Sequence, residues 1–166
     1  MSILPIVAWP DQRLAQVCEP FGEIDDALRQ LVGDMFETMY DAPGRGLAAP
    51  QVGVLSRVFV MDATWKEGEM SPVACINPVI TLLGDAVSTN EEACLSIVGV
   101  SAEVMRPNSI ELSYTNLNGE QINEQLEGFS AICAQHEMDH LEGRVIFDHL
   151  EASARAALEA EYKDLK

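Results

Sequence analysis

Positive charge is the scarcest property of this sequence: ten lysines and arginines face 27 aspartates and glutamates, a net charge of −17 over 166 residues. A chain this acidic repels phosphate backbones and anionic bilayers, so neither nucleic acid nor a membrane is expected as a direct partner. Long apolar runs are also missing, and no stretch approaches the about 20 residues needed to cross a bilayer. The first residues, Met-Ser-Ile-Leu-Pro-Ile-Val, have neither the basic segment nor the small-residue cleavage site of an export signal, so a cytoplasmic location is expected. The four cysteines, Cys18, Cys75, Cys94 and Cys133, lack paired spacing, which points to reduced thiols rather than a disulfide framework. No internal repeat or low-complexity linker divides the chain, and a composition of 48% hydrophobic and 22% charged residues reads as one globular domain, 1–166.

What is present is a clear succession of elements. Pro5 to Pro20 reads as a turn-rich entry arm with a short helix around Gln12 to Val17. From Ile24, the residues Leu28, Leu31, Val32, Met35, Phe36 and Met39 recur at steps of three and four, with Asp25 and Asp26 in the first turn, which predicts an amphipathic helix ending before Pro43. Asp41 to Gly46 holds a proline and two glycines, and the Leu-Ala-Ala-Pro-Gln that follows is too small-sided and too Pro-interrupted for an ordinary strand. Such a segment lets backbone come close to something.

Strands are expected over Arg57 to Asp62 and Val73 to Leu83, the second bent at Asn77-Pro78, and over an interrupted β-prone run from Ala86 to Met105. Ile110 to Tyr114 and Gln121 to Leu126 flank Asn118-Gly119, a hairpin signal. A helix over Phe129 to Leu141 puts Phe129, Ile132, Cys133, His136 and His140 on one face, with Gly143 able to cap it, and a last helix runs from Glu151 to about Leu165. The expected fold is therefore α+β: antiparallel sheets packed around a central helix, with helices near both ends.

The chemistry concentrates in Gln135-His136-Glu137-Met138-Asp139-His140. Histidines four residues apart lie one above the other on a helix, so both imidazoles reach one metal ion while the neighbouring glutamate faces a water. On a surface helix the same residues would mean nothing; on an apolar face, two histidines and a carboxylate need partners, and a metal is the simplest. The third ligand is open. A metzincin-like protease would place a histidine six residues after the second one, where this chain has Ile146. A thermolysin-like peptidase would use a downstream glutamate, for which Glu159 and Glu161 are available; His149 is a further candidate. Cys94 offers a thiolate, and one thiolate with two imidazoles leaves a fourth position for water. For the other three cysteines the ordinary reading is a small buried core residue.

Three stretches carry a resemblance in order along the chain: Gly44-Arg45-Gly46-Leu47-Ala48-Ala49-Pro50-Gln51, Glu92-Ala93-Cys94-Leu95-Ser96, and Gln135 through Leu141. Together they resemble the peptide deformylase family. The resemblance implies removal of the formyl group from formylmethionyl peptides or nascent chains, with release of formate. It implies one divalent metal on Cys94, His136 and His140, natively ferrous iron in many members, with zinc, nickel or cobalt also accepted. Glu137 is implied as the proton carrier, Gln51 and the backbone N–H of Leu95 as donors to the formyl oxygen, Gly46 as a close backbone contact, and Glu92, Ala93, Ile132 and Cys133 as the methionine pocket. Arg106 and Asp139 are expected to pair beneath the metal helix.

The chain departs from the family pattern at Ala93, where glycine is usual, at Val98, where proline is frequent, and at Arg45, where an apolar residue is common. These bear on substrate range and turnover more than on metal binding. Two other readings follow: a deformylase-like metal-binding protein with weak catalysis, and the zincin-like peptidase. The acidic carboxy-terminal helix argues against docking at the ribosome exit region through a basic tail.

Overall fold

The computed structural model describes residues 2–166. Among them the chain runs through α1 (Asp26–Asp41), β1 (Gly46–Ala48), β2 (Val58–Met61), β3 (Val73–Leu82), β4 (Val87–Cys94), β5 (Ile97–Pro107), β6 (Ser109–Thr115), β7 (Gln121–Glu127), α2 (Phe129–Leu141) and α3 (Ala152–Asp164). Short 3-10 turns fall at Gln12–Ala15, Ala49–Val52, Trp65–Glu67 and Ile146–His149. The expected α+β class holds. A five-stranded antiparallel sheet, ordered β1-β2-β3-β6-β7, and a separate two-stranded ribbon, β4-β5, both contact α2.

α1 begins where Asp25 accepts a hydrogen bond from the Leu28 N–H, satisfying one of the first-turn donors that a helix leaves free. Leu28, Val32, Met35 and Met39 then bury one stripe, as the periodicity required. The stripe lies on β1 and β2. In β2, Val58, Phe59 and Val60 are fully buried, each contributing roughly 1.5–3 kcal/mol of apolar transfer. Both faces of this strand are covered, which is why it reads as a continuous apolar run.

Gly46–Ala48 differs from the expectation of a non-strand. It pairs with β2 through Gly46↔Met61 and Ala48↔Phe59, and its small side chains are what let an edge strand fit between α1 and α2. The bend at Asn77 is present as an irregular register between Ile76 and Val79. Asn77 adopts a positive φ of 50° and its side-chain amide exchanges two hydrogen bonds with the backbone of Phe21, so the bend also anchors the entry arm. The Asn118-Gly119 hairpin closes at Thr115↔Gln121, a wider turn in which the Asn116 side chain accepts from the N–H groups of Asn118 and Glu120.

The β-prone run after Gly84 resolves into the ribbon, interrupted only at Leu95-Ser96. Val100, Ala102 and Val104 point inward to join Ile146, Phe147 and Tyr162. Trp9 packs edge-on against both Phe147 and Tyr162, and the Tyr162 hydroxyl donates to the Trp9 carbonyl at 3.1 Å. The entry arm and α3 are thereby clamped to the ribbon. α2 is buried on most sides, with Ala131, Ala134 and Leu141 in the core. Phe129 lines the cavity together with Ile132, Cys133 and His136, and at the start of the helix it is about half exposed.

Candidate active site

His136 and His140 project one turn apart from α2, their ring centroids 5.3 Å from each other. Cys94 ends β4, at the tip of the ribbon, and its Sγ lies 3.4 Å from His140 Nε2. One potential ligand atom from each of the three residues falls within 4.8 Å of the other two, and no other such group exists among the described residues. The downstream candidates stay outside it. Glu159 pairs with Arg155, Glu161 lies on the same helix α3, and His149 bonds Asp139 at 2.7 Å.

Burial by itself would push the Cys94 thiol up, but His140 and His136 beside it bring it down to about 5. A buried thiolate and two imidazoles at this spacing suit a borderline divalent cation such as iron, zinc, nickel or cobalt. Glu137 is buried as well, and desolvation raises its carboxyl above the usual range. Its Oε1 is buried without any hydrogen-bond partner, so one acceptor is unspent beside the three ligand atoms.

Of the two histidines, His136 is held from behind, whereas the buried Nδ1 of His140 has no partner among the described residues. His136 Nδ1 sits 3.0 Å from Glu92 Oε1; with the proton on Nδ1 the imidazole donates to the carboxylate and keeps Nε2 as a free lone pair. Arg106, almost wholly buried, donates to both Glu92 oxygens at 2.6 and 2.9 Å and to Asp139 Oδ2 at 3.0 Å. The expected Arg106–Asp139 pair is present. What the sequence did not reveal is that Glu92 is the stronger partner of Arg106. Glu92 lines the cavity, yet its carboxylate is committed to Arg106 and His136 rather than free for a methionine side chain. Burial opposes the ionised form of Glu92, and the hydrogen bonds from His136 and Arg106 overcome it, leaving the carboxyl below its ordinary value.

Gln51 is fully buried in the turn after β1. Its Oε1 accepts from the Ala48 N–H at 3.0 Å, which fixes the amide so that Nε2 donates to Ser96 Oγ at 3.0 Å and reaches Cys94 Sγ at 3.6 Å. Ser96 went unassigned in the sequence. It lies inside the Glu92–Ser96 stretch, but a serine after a strand reads as a turn residue until its neighbours are known.

These groups open on a cavity of about 610 Å³. One wall is Gly44 to Gly46, the other is the end of β4 with Ala93 and Leu95, and Ile132, Cys133 and Glu137 of α2 line it as well. Gly46 is required by the protein itself: a Cβ there would stand 2.5 Å from Glu137 Oε2. The Ala93 methyl is exposed. Arg45 stands at the rim, 4.8 Å over the Phe129 ring and bonded to Glu67.

The sequence pattern of the polypeptide deformylase family matches residues 3–156. A peptide deformylase of Cellvibrio japonicus is 44% identical over 158 residues, covering 95% of this chain and 92% of that one. A peptide deformylase of Phenylobacterium zucineum is 48% identical over 150 residues, covering 90% and 89%. Among solved structures, the peptide deformylase of Ehrlichia chaffeensis in complex with actinonin superposes with a TM-score of 0.93 at 38% identity, over 100% of this chain and 99% of that one.

Proposed function

The chain belongs to the polypeptide deformylase family, and from that premise we propose that Cys94, His136 and His140 hold its divalent metal, with iron(II) as the native ion. The chain is a metal-dependent hydrolase that cleaves the formyl amide of formylated peptides and releases formate. The observation that carries the site assignment is the convergence of one thiolate and two imidazoles within 4.8 Å beside a buried carboxylate with an unspent oxygen.

Bound there, the cation supplies Lewis acidity to the attacking water and to the formyl oxygen. Glu137 takes a proton from the water as the new C–O bond forms, and its upshifted carboxyl suits it to hold that proton. It then delivers the proton to the amide nitrogen as the C–N bond breaks, leaving formate and a free amino terminus. Gln51 Nε2 turns from Ser96 and Cys94 toward the developing oxyanion, and the Leu95 N–H is the second donor; losing one such donor typically costs about a hundredfold or more in kcat. Glu92 positions His136 and acts through it. Ile132, Cys133, Ala93 and the edge of Glu92 form the methionine pocket, and Gly46 keeps the wall flat against Glu137.

The test is formate release from formyl-Met-Ala by anaerobically purified protein beside Glu137→Ala. The variant is expected to retain metal and lose about 10²- to 10⁴-fold in kcat. A Glu137→Ala protein that turns over at the parental rate would remove Glu137 from the reaction, and metal retained by Cys94→Ala would remove the cysteine from the ligand set.

A further inference from the structure

In a protein carrying −17, two of the ten basic residues, Arg45 and Lys66, line the reaction cavity. Neither is held by the metal-site network. Arg45 lies across the Phe129 ring and spends one Nη on Glu67, itself an exposed side chain. Lys66 has no carboxylate partner among the described residues; its Nζ donates to the Pro43 carbonyl at 3.1 Å. The segment bearing it is fixed rather than loose. Trp65 Nε1 donates to the Gly44 carbonyl at 2.9 Å and its ring packs edge-on against Tyr40 at 5.1 Å. The acids lining the cavity are Glu91, already bonded to Ser101, Glu92, held by Arg106 and His136, and the buried Glu137, while Glu67 meets Arg45 at the rim.

Gly46 touches Glu137 and so marks the reaction centre along this wall. Pro43 and Arg45 lie in the turn and bend that lead into β1 just before Gly46, and both line the same cavity. A peptide whose formyl end meets Glu137 and whose chain leaves the cavity over this wall brings the residues that follow its formylmethionine beside the two cations. We propose that Arg45 and Lys66 form a cationic rim that selects formylated peptides bearing an acidic side chain in the second or third position. This rests on the deformylase reading above and extends it from the formyl group to the sequence of the substrate. The molecule as a whole repels such peptides and attracts basic ones, so the rim and the net charge predict opposite preferences.

The test compares two amidated series, formyl-Met-Xaa-Ala and formyl-Met-Ala-Xaa, with glutamate, glutamine or lysine as Xaa, at low ionic strength. In at least one series glutamate is expected to exceed glutamine by about threefold in kcat/KM, and lysine to fall below both, with the difference in KM rather than kcat. Lys66→Gln, at an exposed position, should shrink the ratio. Adding Arg45→Met should reverse the order, because only the acidic field then remains, whereas Arg45→Lys should keep it. Glu67→Gln should enlarge the ratio by freeing Arg45. Equal rates for all three side chains in both series, or a lysine preference in the parent, overturns the rim while leaving deformylation intact. Absence of formate even from the glutamine peptides overturns both.

Discussion

Cys75 and Cys94 are both buried thiols, one near the start of β3 and the other at the tip of the β4-β5 ribbon, and they are driven in opposite directions. Around Cys75 there is no cation among the described residues, and burial, with the Glu124 carboxylate adding to it, pushes its thiol well above the ordinary value. Cys94 suffers the same desolvation, but His140 and His136 reverse it and bring the thiol to about 5. Burial therefore does not make a cysteine inert; the groups buried with it decide. The two places differ in construction as well. The five-stranded sheet is held by apolar packing over Phe59, Val58 and Val60, whereas the ribbon tip is registered to α2 by polar contacts: Arg106 to Glu92 and Asp139, Glu92 to His136, and Gln51 to Ser96.

If stability and chemistry are divided in this way, they should break separately. Phe59→Ala empties the middle of the sheet and is expected to lower unfolding free energy by about 3–5 kcal/mol, measured by urea denaturation. Metal stoichiometry and kcat at low temperature should stay unchanged; a loss of metal in folded Phe59→Ala protein would erase the distinction.

The thiols sharpen it. In chelator-treated protein at pH 7, Cys94 should be alkylated by iodoacetamide at least about a hundredfold faster than Cys75, since a thiol two or more pKa units above pH 7 is at most about 1% ionised. Because the Cys94 value lies below the ordinary 9.0, its rate should be flat from pH 8 to pH 6 and fall only as pH drops through about 5. A rate that instead rises steadily up to pH 9 would show a thiol not governed by its histidines.

Arg106→Ala should act on the ribbon. It strips two carboxylates of their guanidinium and frees Glu92 to misorient His136, so metal affinity should fall about 10- to 100-fold by competition with a chelator. Affinity at the parental level would place the registration of the tip elsewhere.

Much of this was legible along the chain, and for a consistent reason. α1 and α2 were legible because helical neighbours are close in sequence, so His136, Glu137 and His140 and the stripe Leu28 to Met39 declare themselves by spacing. The bend at Asn77 and the close backbone at Gly46 were legible because glycine, proline and asparagine mark backbone the other residues avoid. Cys94 stood only as one open candidate for the third ligand until the resemblance, which also supplied Gln51, because no local spacing ties either residue to the helix. Periodicity put Phe129 on the face of Ile132, Cys133 and His136 but could not say how far the neighbouring layer extends, and this helix begins beyond its cover. The strand at Gly46–Ala48 was missed because its stability lies in β2 and the two helices rather than in its own residues.

By itself, then, the sequence determined the helices, most of the strands and the histidine pair with its glutamate, all of which rest on interactions between residues a turn or a pleat apart. Only the tertiary structure decided that the Glu92 carboxylate is bonded to His136 and Arg106, that Ser96 holds Gln51, and that Glu137 leaves no room for a side chain at Gly46. Each of these includes a contact between residues 40 or more positions apart, and the geometry of such a contact is set by the packing of β4-β5 against α2 rather than by any property of the local chain.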